Sequence, residues 1–307
     1  MAKFASHQPK VAEVMAVYNG AQWVYQQLES IVEQNVPVTI YISFDSSIDQ
    51  SEAICKSFAE KYQNIFLLPN VGKFGGAAKN FFRLIRDVDF SDFDYLAYAD
   101  QDDIWFKDKL IRAINKLLTT NSDGYSSNVL AFWPNGKRVL IDKSQPIRDW
   151  DYLFEAAGPG CTYVIKAGMA MQMKQLIVAN WSSANQIELH DWFTYAYARA
   201  NGYKWFIDNH PSMLYRQHAS NQVGVNKGFK AFYYRARKVL GDSGFSQSYL
   251  IAKLIGKSDC DFVKKCLNFK RSGFITLALN ADKCRRKPSE RVLFFMACVY
   301  MSIFNQR

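Results

Sequence analysis

Three carboxylates crowd a single turn, Asp100-Gln101-Asp102-Asp103, which runs on into Ile104-Trp105. Carboxylates this close repel one another unless a cation neutralises them. Hard oxygen ligands suit Mg²⁺ or Mn²⁺ held together with a phosphate. The same residues could also form a solvated acidic turn, since Asp caps helices well. The apolar run Tyr95-Leu96-Ala97-Tyr98-Ala99 before it and Trp105 after it favour a metal–diphosphate site. Of the four histidines, His218 closes a strand beside Arg216, and a neutral imidazole there could complete a metal shell begun by Asp102. His7 falls in an end segment, and His210 precedes Pro211. His190 and Asp191 open a helix, where Asp191 is either a partner for the helix dipole or a base. Tyr18 and Asp45 end the first two strands and could contact a base, one by stacking and one by accepting a ring N–H; ordinary turn chemistry explains them equally. A metal, a diphosphate and a separate carboxylate suit group transfer from a nucleotide-activated donor. The metal stabilises the leaving diphosphate, and the carboxylate takes the acceptor's proton.

The elements that must position these groups alternate. Strands are expected at Val11 to Val17, Val38 to Phe44, Ile65 to Leu68 and Tyr95 to Ala99. Helices are expected at Ala21 to Glu33, Ser51 to Tyr62, Phe74 to Arg86 and from Lys107 to Leu118. Four β-α units imply a parallel sheet with helices on both faces. Their polar turns then share one sheet edge, which brings Tyr18, Asp45, Asn70, Gly72 and the acidic tetrad together. Further strands are read at Val129 to Trp133 and Tyr163 to Ile165, and one ends at Met213 to His218. Pro134 to Trp150 reads as loop, Gly168 to Val178 and His190 to Arg199 as helices, and Ala219 to Gly224 as loop. The first turn carries neither G-x-G-x-x-G nor G-K-S/T, which argues against dinucleotide and P-loop phosphate cradles.

Composition sets the bounds. The chain has 307 residues, 49% hydrophobic and 21% charged, enough for one large α/β domain and an appendage. Its net charge of +10 sits in the tail: from Gly228 onward there are sixteen Lys and Arg against five Asp and Glu. Such a tail can meet nucleic acid or an anionic membrane. The six cysteines are scattered, with no C-x-x-C pair, as expected of reduced cytoplasmic thiols. The N-terminus lacks a signal-peptide core. The longest apolar run, Val292 to Phe304, is too short to span a bilayer.

Taken together, these motifs resemble the family-2 glycosyltransferases of the GT-A fold, and more narrowly the bacterial rhamnosyltransferase-like enzymes of surface polysaccharide synthesis. The matching pieces are Val17-Tyr18-Asn19-Gly20, Asp45 with Ser47 and Asp49, Asn70-Val71-Gly72 and Asp100-Gln101-Asp102-Asp103-Ile104-Trp105. They continue with Gly160-Cys161-Thr162, His190-Asp191-Trp192 and Tyr215-Arg216-Gln217-His218 with Asn221 and Gly224. Two departures stand out: Phe44 occupies the first of two positions that are often acidic, and Gln50-Ser51 follows Asp49.

The resemblance implies a Rossmann-like, mostly parallel central sheet flanked by helices over residues 1–227, and a basic helical extension over 228–307. It implies an inverting, metal-dependent transferase using Mg²⁺ or Mn²⁺. L-rhamnose from dTDP-rhamnose is the leading donor and a UDP-hexose the alternative. The acceptor is a growing surface glycan such as O-antigen or capsule, or a lipid-linked oligosaccharide. Val17, Tyr18, Asp45, Asn70, Gly72, Asp100 and Arg216 would hold the nucleotide sugar, and Asp102 and His218 the metal. Asp191 would be the base, with Gly160, Cys161, His190 and Trp192 on the acceptor side. The expected place of work is the cytoplasm, peripheral to the inner membrane. There the cationic cluster Lys283, Arg285, Arg286 and Lys287, with the apolar segment up to Phe304, would face anionic lipid. Two other classes predict differently. A nucleic-acid-binding protein would bind salt-sensitively without metal, but its basicity would lie outside the motifs. A non-catalytic sugar-binding subunit should have lost Asp102, Asp191 or His218, all of which are present.

Overall fold

A computed structural model describes residues 8–218, 242–268 and 270–304. The expected β-α alternation is present as β1 (Val11–Val17), α1 (Val24–Val32), β2 (Val38–Phe44), α2 (Ser51–Lys61), β3 (Ile65–Leu67), α3 (Ala77–Asp87) and β4 (Tyr95–Ala99). These four strands run parallel in the order β3-β2-β1-β4. All five residues of β4 are buried, as befits a strand covered on both faces.

Beyond β4 the sheet becomes mixed. β5 (Ile104–Trp105) leads to α4 (Lys109–Thr119), β6 (Gly124–Phe132) and β7 (Arg138–Ile141). Then come β8 (Val164–Lys166), α5 (Ala167–Ala179), α6 (Trp181–Ala184), α7 (His190–Ala200) and the twelve-residue β9 (Trp205–Arg216). The sheet continues from β4 as β8-β6-β9-β5, with β7 paired to β6. Thus β7 forms inside the stretch expected to be loop, and β6 starts five residues earlier than expected, at Gly124. Gly124 is required there: a Cβ would stand 2.3 Å from the Trp205 ring. The two-residue β5 pairs antiparallel with Met213 and Leu214 of β9. That pairing carries Arg216 to His218 to the acidic turn.

Alternation along the strands divides the core. Ala12 and Val14 of β1, with Leu96 and Tyr98 of β4, face one hydrophobic cluster with α3, α5 and α7. Val11, Met15 and Val17, with Tyr95, Ala97 and Ala99, face the other with α1, α2 and α4. Helix α1 buries Val24, Gln27, Leu28 and Ile31, one stripe at helical spacing.

The C-terminal helices are α8 (Asp242–Leu254), α9 (Asp261–Cys266), α10 (Arg271–Leu279), α11 (Ala281–Cys284) and α12 (Pro288–Phe304). They are an extension in sequence, yet Phe245, Ile251, Phe274, Leu277, Phe294 and Cys298 join the same cluster as α3, α5 and α7. The expected boundary at 227/228, the loop from Ala219 to Gly224, Asn221 and Gly224 lie outside the described residues. The cationic cluster expected to face lipid divides: Lys283 and Lys287 are exposed, whereas Arg285 and Arg286 turn into the fold. Arg286 is 1% exposed, and its Nη1 donates to Asp151 Oδ2 at 3.0 Å. Arg285 Nη1 donates to the Phe154 carbonyl at 2.6 Å and pairs with Glu290. Asp151 also receives Arg199 and the Tyr195 hydroxyl, so the charges pin the C-terminal helices onto the sheet-bearing part of the chain. The other side of α12 is apolar and open: Val292, Phe295, Met296, Tyr300, Ile303 and Phe304 are all exposed. Among the described residues, no helix is long and apolar enough to cross a membrane.

Candidate active site

The turns after β1, β2, β3 and β4 meet at the carboxyl ends of the strands. The first two are tied together by hydrogen bonds. The Asn19 N–H donates to Ser47 Oγ, the Gly20 N–H to Ser51 Oγ and the Ala21 N–H to Asp49. Tyr18 is left 54% exposed at this edge. Val17 is fully buried in the core and offers no side-chain surface to a nucleotide.

Asp45 acts within the fold. Its carboxylate accepts the N–H groups of Phe74 at 2.8 Å, Gly75 at 2.8 Å and Gly76 at 3.3 Å, besides that of Ser46. Gly75 has φ 76, a conformation that glycine adopts freely and that turns these N–H groups towards one acceptor. With both oxygens occupied, Asp45 shapes the loop. Asn70 likewise closes its own turn, accepting from the Gly72 N–H at 3.0 Å. Arg83 holds the far end of the loop, donating to Pro69 O at 2.7 Å from a buried position.

The acidic turn divides into layers. Asp103 is fully buried, and its Oδ1 accepts the Arg216 N–H at 3.0 Å. Cys161 is also fully buried, its sulfur within 4.8 Å of the Asp100 and Asp103 carboxylates. It therefore underlies the turn and does not line the acceptor side. Burial pushes the Cys161 thiol well up, with Asp103 and Asp100 adding to it, so it stays protonated and is a poor partner for a hard cation. Burial, then Asp102 and Asp191, push the Asp100 carboxyl up to about 7. Asp191 is thus an electrostatic neighbour of Asp100 despite its distance in sequence.

Asp102 and His218 meet at 2.7 Å between Oδ2 and Nε2, each 13% exposed in its side chain. The His218 ring stacks on Trp23, with centroids 3.9 Å apart. The two atoms are hydrogen-bonded to each other, and a carboxylate oxygen and an imidazole nitrogen are ligand types that Mg²⁺ or Mn²⁺ accepts if it takes the place of the proton between them. Arg216 braces the turn from outside. Its Nε donates to the Asp102 carbonyl at 2.8 Å and its Nη2 to Gln26 at 2.6 Å, over the Phe132 ring. Its guanidinium thereby ties the acidic turn to α1.

Helix α7 brings Asp191 against the segment at Gly160. Gly160 permits this, since a Cβ there would stand 2.8 Å from Asp191 Cβ and 2.9 Å from His190 Nε2. His190 is buried, stacked on Phe81 at 3.8 Å and edge-on to Tyr98. Burial lowers its pKa to about 3, so the ring is neutral. Trp192 donates its indole N–H to the Tyr152 carbonyl at 2.9 Å. The sequence had not singled out Gln101, Trp23 or Arg83. Only spatial pairing reveals them, because none belongs to a residue type that marks catalysis by itself.

A family model, "Glycosyl transferase family 2", matches residues 14–174. The chain is 46% identical over 292 residues to a dTDP-rhamnosyl transferase, RfbG, of Shigella flexneri, covering 94% of this chain and 100% of the relative. The fold resembles S. aureus TarS residues 1–349 in complex with UDP-GlcNAc: TM-score 0.54, 13% identity, 96% of this chain and 89% of that one. It also resembles the mannosyltransferase PcManGT of Pyrobaculum calidifontis in complex with GDP-Man and Mn²⁺: TM-score 0.53, 15% identity, 98% and 89% coverage. The mixed α/β architecture is that of the GT-A glycosyltransferases.

Proposed function

Because the chain belongs to glycosyl transferase family 2, and is a glycosyltransferase, we propose that it transfers L-rhamnose from dTDP-rhamnose, with inversion, onto a growing surface glycan such as O-antigen or capsule. The observation that carries the donor is its identity with the Shigella flexneri enzyme along almost the whole chain. The acceptor hydroxyl attacks the anomeric carbon of the sugar. Its bond to the diphosphate oxygen breaks, the hydroxyl proton passes to Asp191, and dTDP departs with the bonding pair. Asp191 suits the role of base, since it is a carboxylate at the start of α7 near enough to Asp100 to raise its pKa. Tyr18 offers its exposed ring to the base, and Asp100, Asn70 and Gly72 border the sugar and diphosphate.

Asp102 and His218 would hold a divalent cation, Mg²⁺ or Mn²⁺, which when bound supplies counter-charge to the diphosphate. Gly160 and His190 border the acceptor. The work would be done at the cytoplasmic face of the inner membrane, where lipid-linked acceptors stand. The open apolar side of α12, with the exposed Lys283 and Lys287 near its start, is the surface that suits contact with anionic lipid.

The test is release of the nucleoside diphosphate from a panel of dTDP-, UDP- and GDP-sugars with Mn²⁺ or Mg²⁺. Release with sugar transfer from dTDP-rhamnose is expected, and release from UDP-hexoses alone would move the enzyme to that donor class. Chelator and Asp102→Ala should each abolish transfer. Full activity in excess chelator would remove the metal from the mechanism.

A further inference from the structure

Gln101 is the one uncharged residue in the acidic turn, and both ends of its amide bond the same partner. The Tyr18 N–H donates to Gln101 Oε1 at 2.8 Å, and Gln101 Nε2 donates to the Tyr18 carbonyl at 2.8 Å. The side chain thus pairs with the backbone of Tyr18 as a neighbouring strand would. It occupies the space above Gly20, where a Cβ would stand 2.3 Å from Oε1 and 2.5 Å from Cδ. On one side of this clamp Tyr18 presents its exposed ring; on the other, the next residue is Asp102, paired with His218. One side chain therefore joins the turn that would meet the base to the turn that would meet the diphosphate.

We infer that Gln101 is a positioning residue that sets Tyr18 in register with the acidic turn, so that base and diphosphate are bound as one unit. The inference rests on the nucleotide-donor reading above. A linker of this kind contributes to affinity only when a ligand engages both turns. Loss of its two hydrogen bonds should weaken such a ligand about tenfold or more and leave a ligand of the acidic turn alone unaffected. The geometry also makes Gly20 part of the device, since any side chain there must push the amide off Tyr18.

The experiment is calorimetry on the full chain with Mn²⁺, titrating dTDP, UDP and inorganic pyrophosphate into the wild type, Gln101→Ala, Gly20→Ala and the double variant. The expected result is about tenfold weaker dTDP binding in either single variant, with pyrophosphate unchanged. The double variant should be no worse than the singles, because Gly20→Ala acts only by displacing Gln101. Unchanged dTDP affinity in Gln101→Ala overturns the inference. So does an equal loss for dTDP and pyrophosphate, which would report general damage to the site. If the wild type prefers UDP to dTDP, the donor reading fails alone and the same comparison is made with UDP. If it binds pyrophosphate but neither nucleotide, both readings fall.

Discussion

At the residue scale, the two acidic functions are separated by environment. Asp102 sits at the rim with His218, whereas Asp191 enters from α7. Asp191→Asn keeps the size and the hydrogen bond to the Trp192 N–H but cannot take a proton. Turnover should fall about 10²–10⁴-fold, with donor affinity little changed. Collapse of donor binding with turnover preserved would mean that Asp191 serves the donor instead. His190 gives a prediction of stability. Its ring stays neutral in the fold down to about pH 3, whereas in the unfolded chain it takes a proton near 6.5. The unfolded state therefore binds more protons between these values. Stability is fully present above about 6.5 and is lost as pH falls towards 3, by about 2 kcal/mol between pH 7 and 5. Urea midpoints of the wild type and His190→Phe should differ in their dependence on pH over that interval. Identical slopes would assign the acid sensitivity elsewhere.

At the element scale, the site depends on how closely α7 approaches the segment at Gly160. Asp191 and His190 pack this closely on Gly160 because that position has no side chain. Gly160→Ala should force the start of α7 outward. It should cost about 1–3 kcal/mol of stability through overpacking and lower kcat more than the donor KM. Wild-type kinetics in that variant would show that the helix start can shift without harm. This dependence was invisible in the sequence, where Gly160 stood merely as part of a motif. The same holds for β5: two residues are too few to show any periodicity, and their pairing with Met213 and Leu214 is what unites Asp102 with His218. By contrast, β1 to β4 were legible because each is a short apolar run closed by a polar turn, and four local signals agreed.

At the scale of the whole molecule, charge counting misled where packing decided. Sixteen cations in the tail suggested a surface, but a composition cannot tell that Arg286 is buried against Asp151 and Glu155. Arg286→Met should therefore destabilise the entire chain by about 3 kcal/mol or more, since it leaves buried carboxylates short of a partner. Lys287→Gln, at an exposed neighbour, should stay within about 0.5 kcal/mol. Thermal or urea unfolding distinguishes them, and equal effects would return the cluster to the surface. The open strip on α12, with the exposed Lys283 and Lys287 rather than Arg285 and Arg286, is then what vesicle binding should probe.

The ion pair between Asp151 and Arg286 has one more consequence, for the order of events during synthesis. The two residues are 135 positions apart. At roughly 5–20 residues per second, the ribosome takes on the order of ten seconds to deliver Arg286 after Asp151 has emerged. Arg199 arrives sooner, so Asp151 has a first counter-ion, but Glu155 and the apolar surface awaiting α8 to α12 do not have theirs. The nascent chain must pass this interval with its main core open on one side. A trigger-type holdase that shields apolar surface at the exit tunnel would find its substrate there, and translation slowed between these two codons should lower the yield of folded protein.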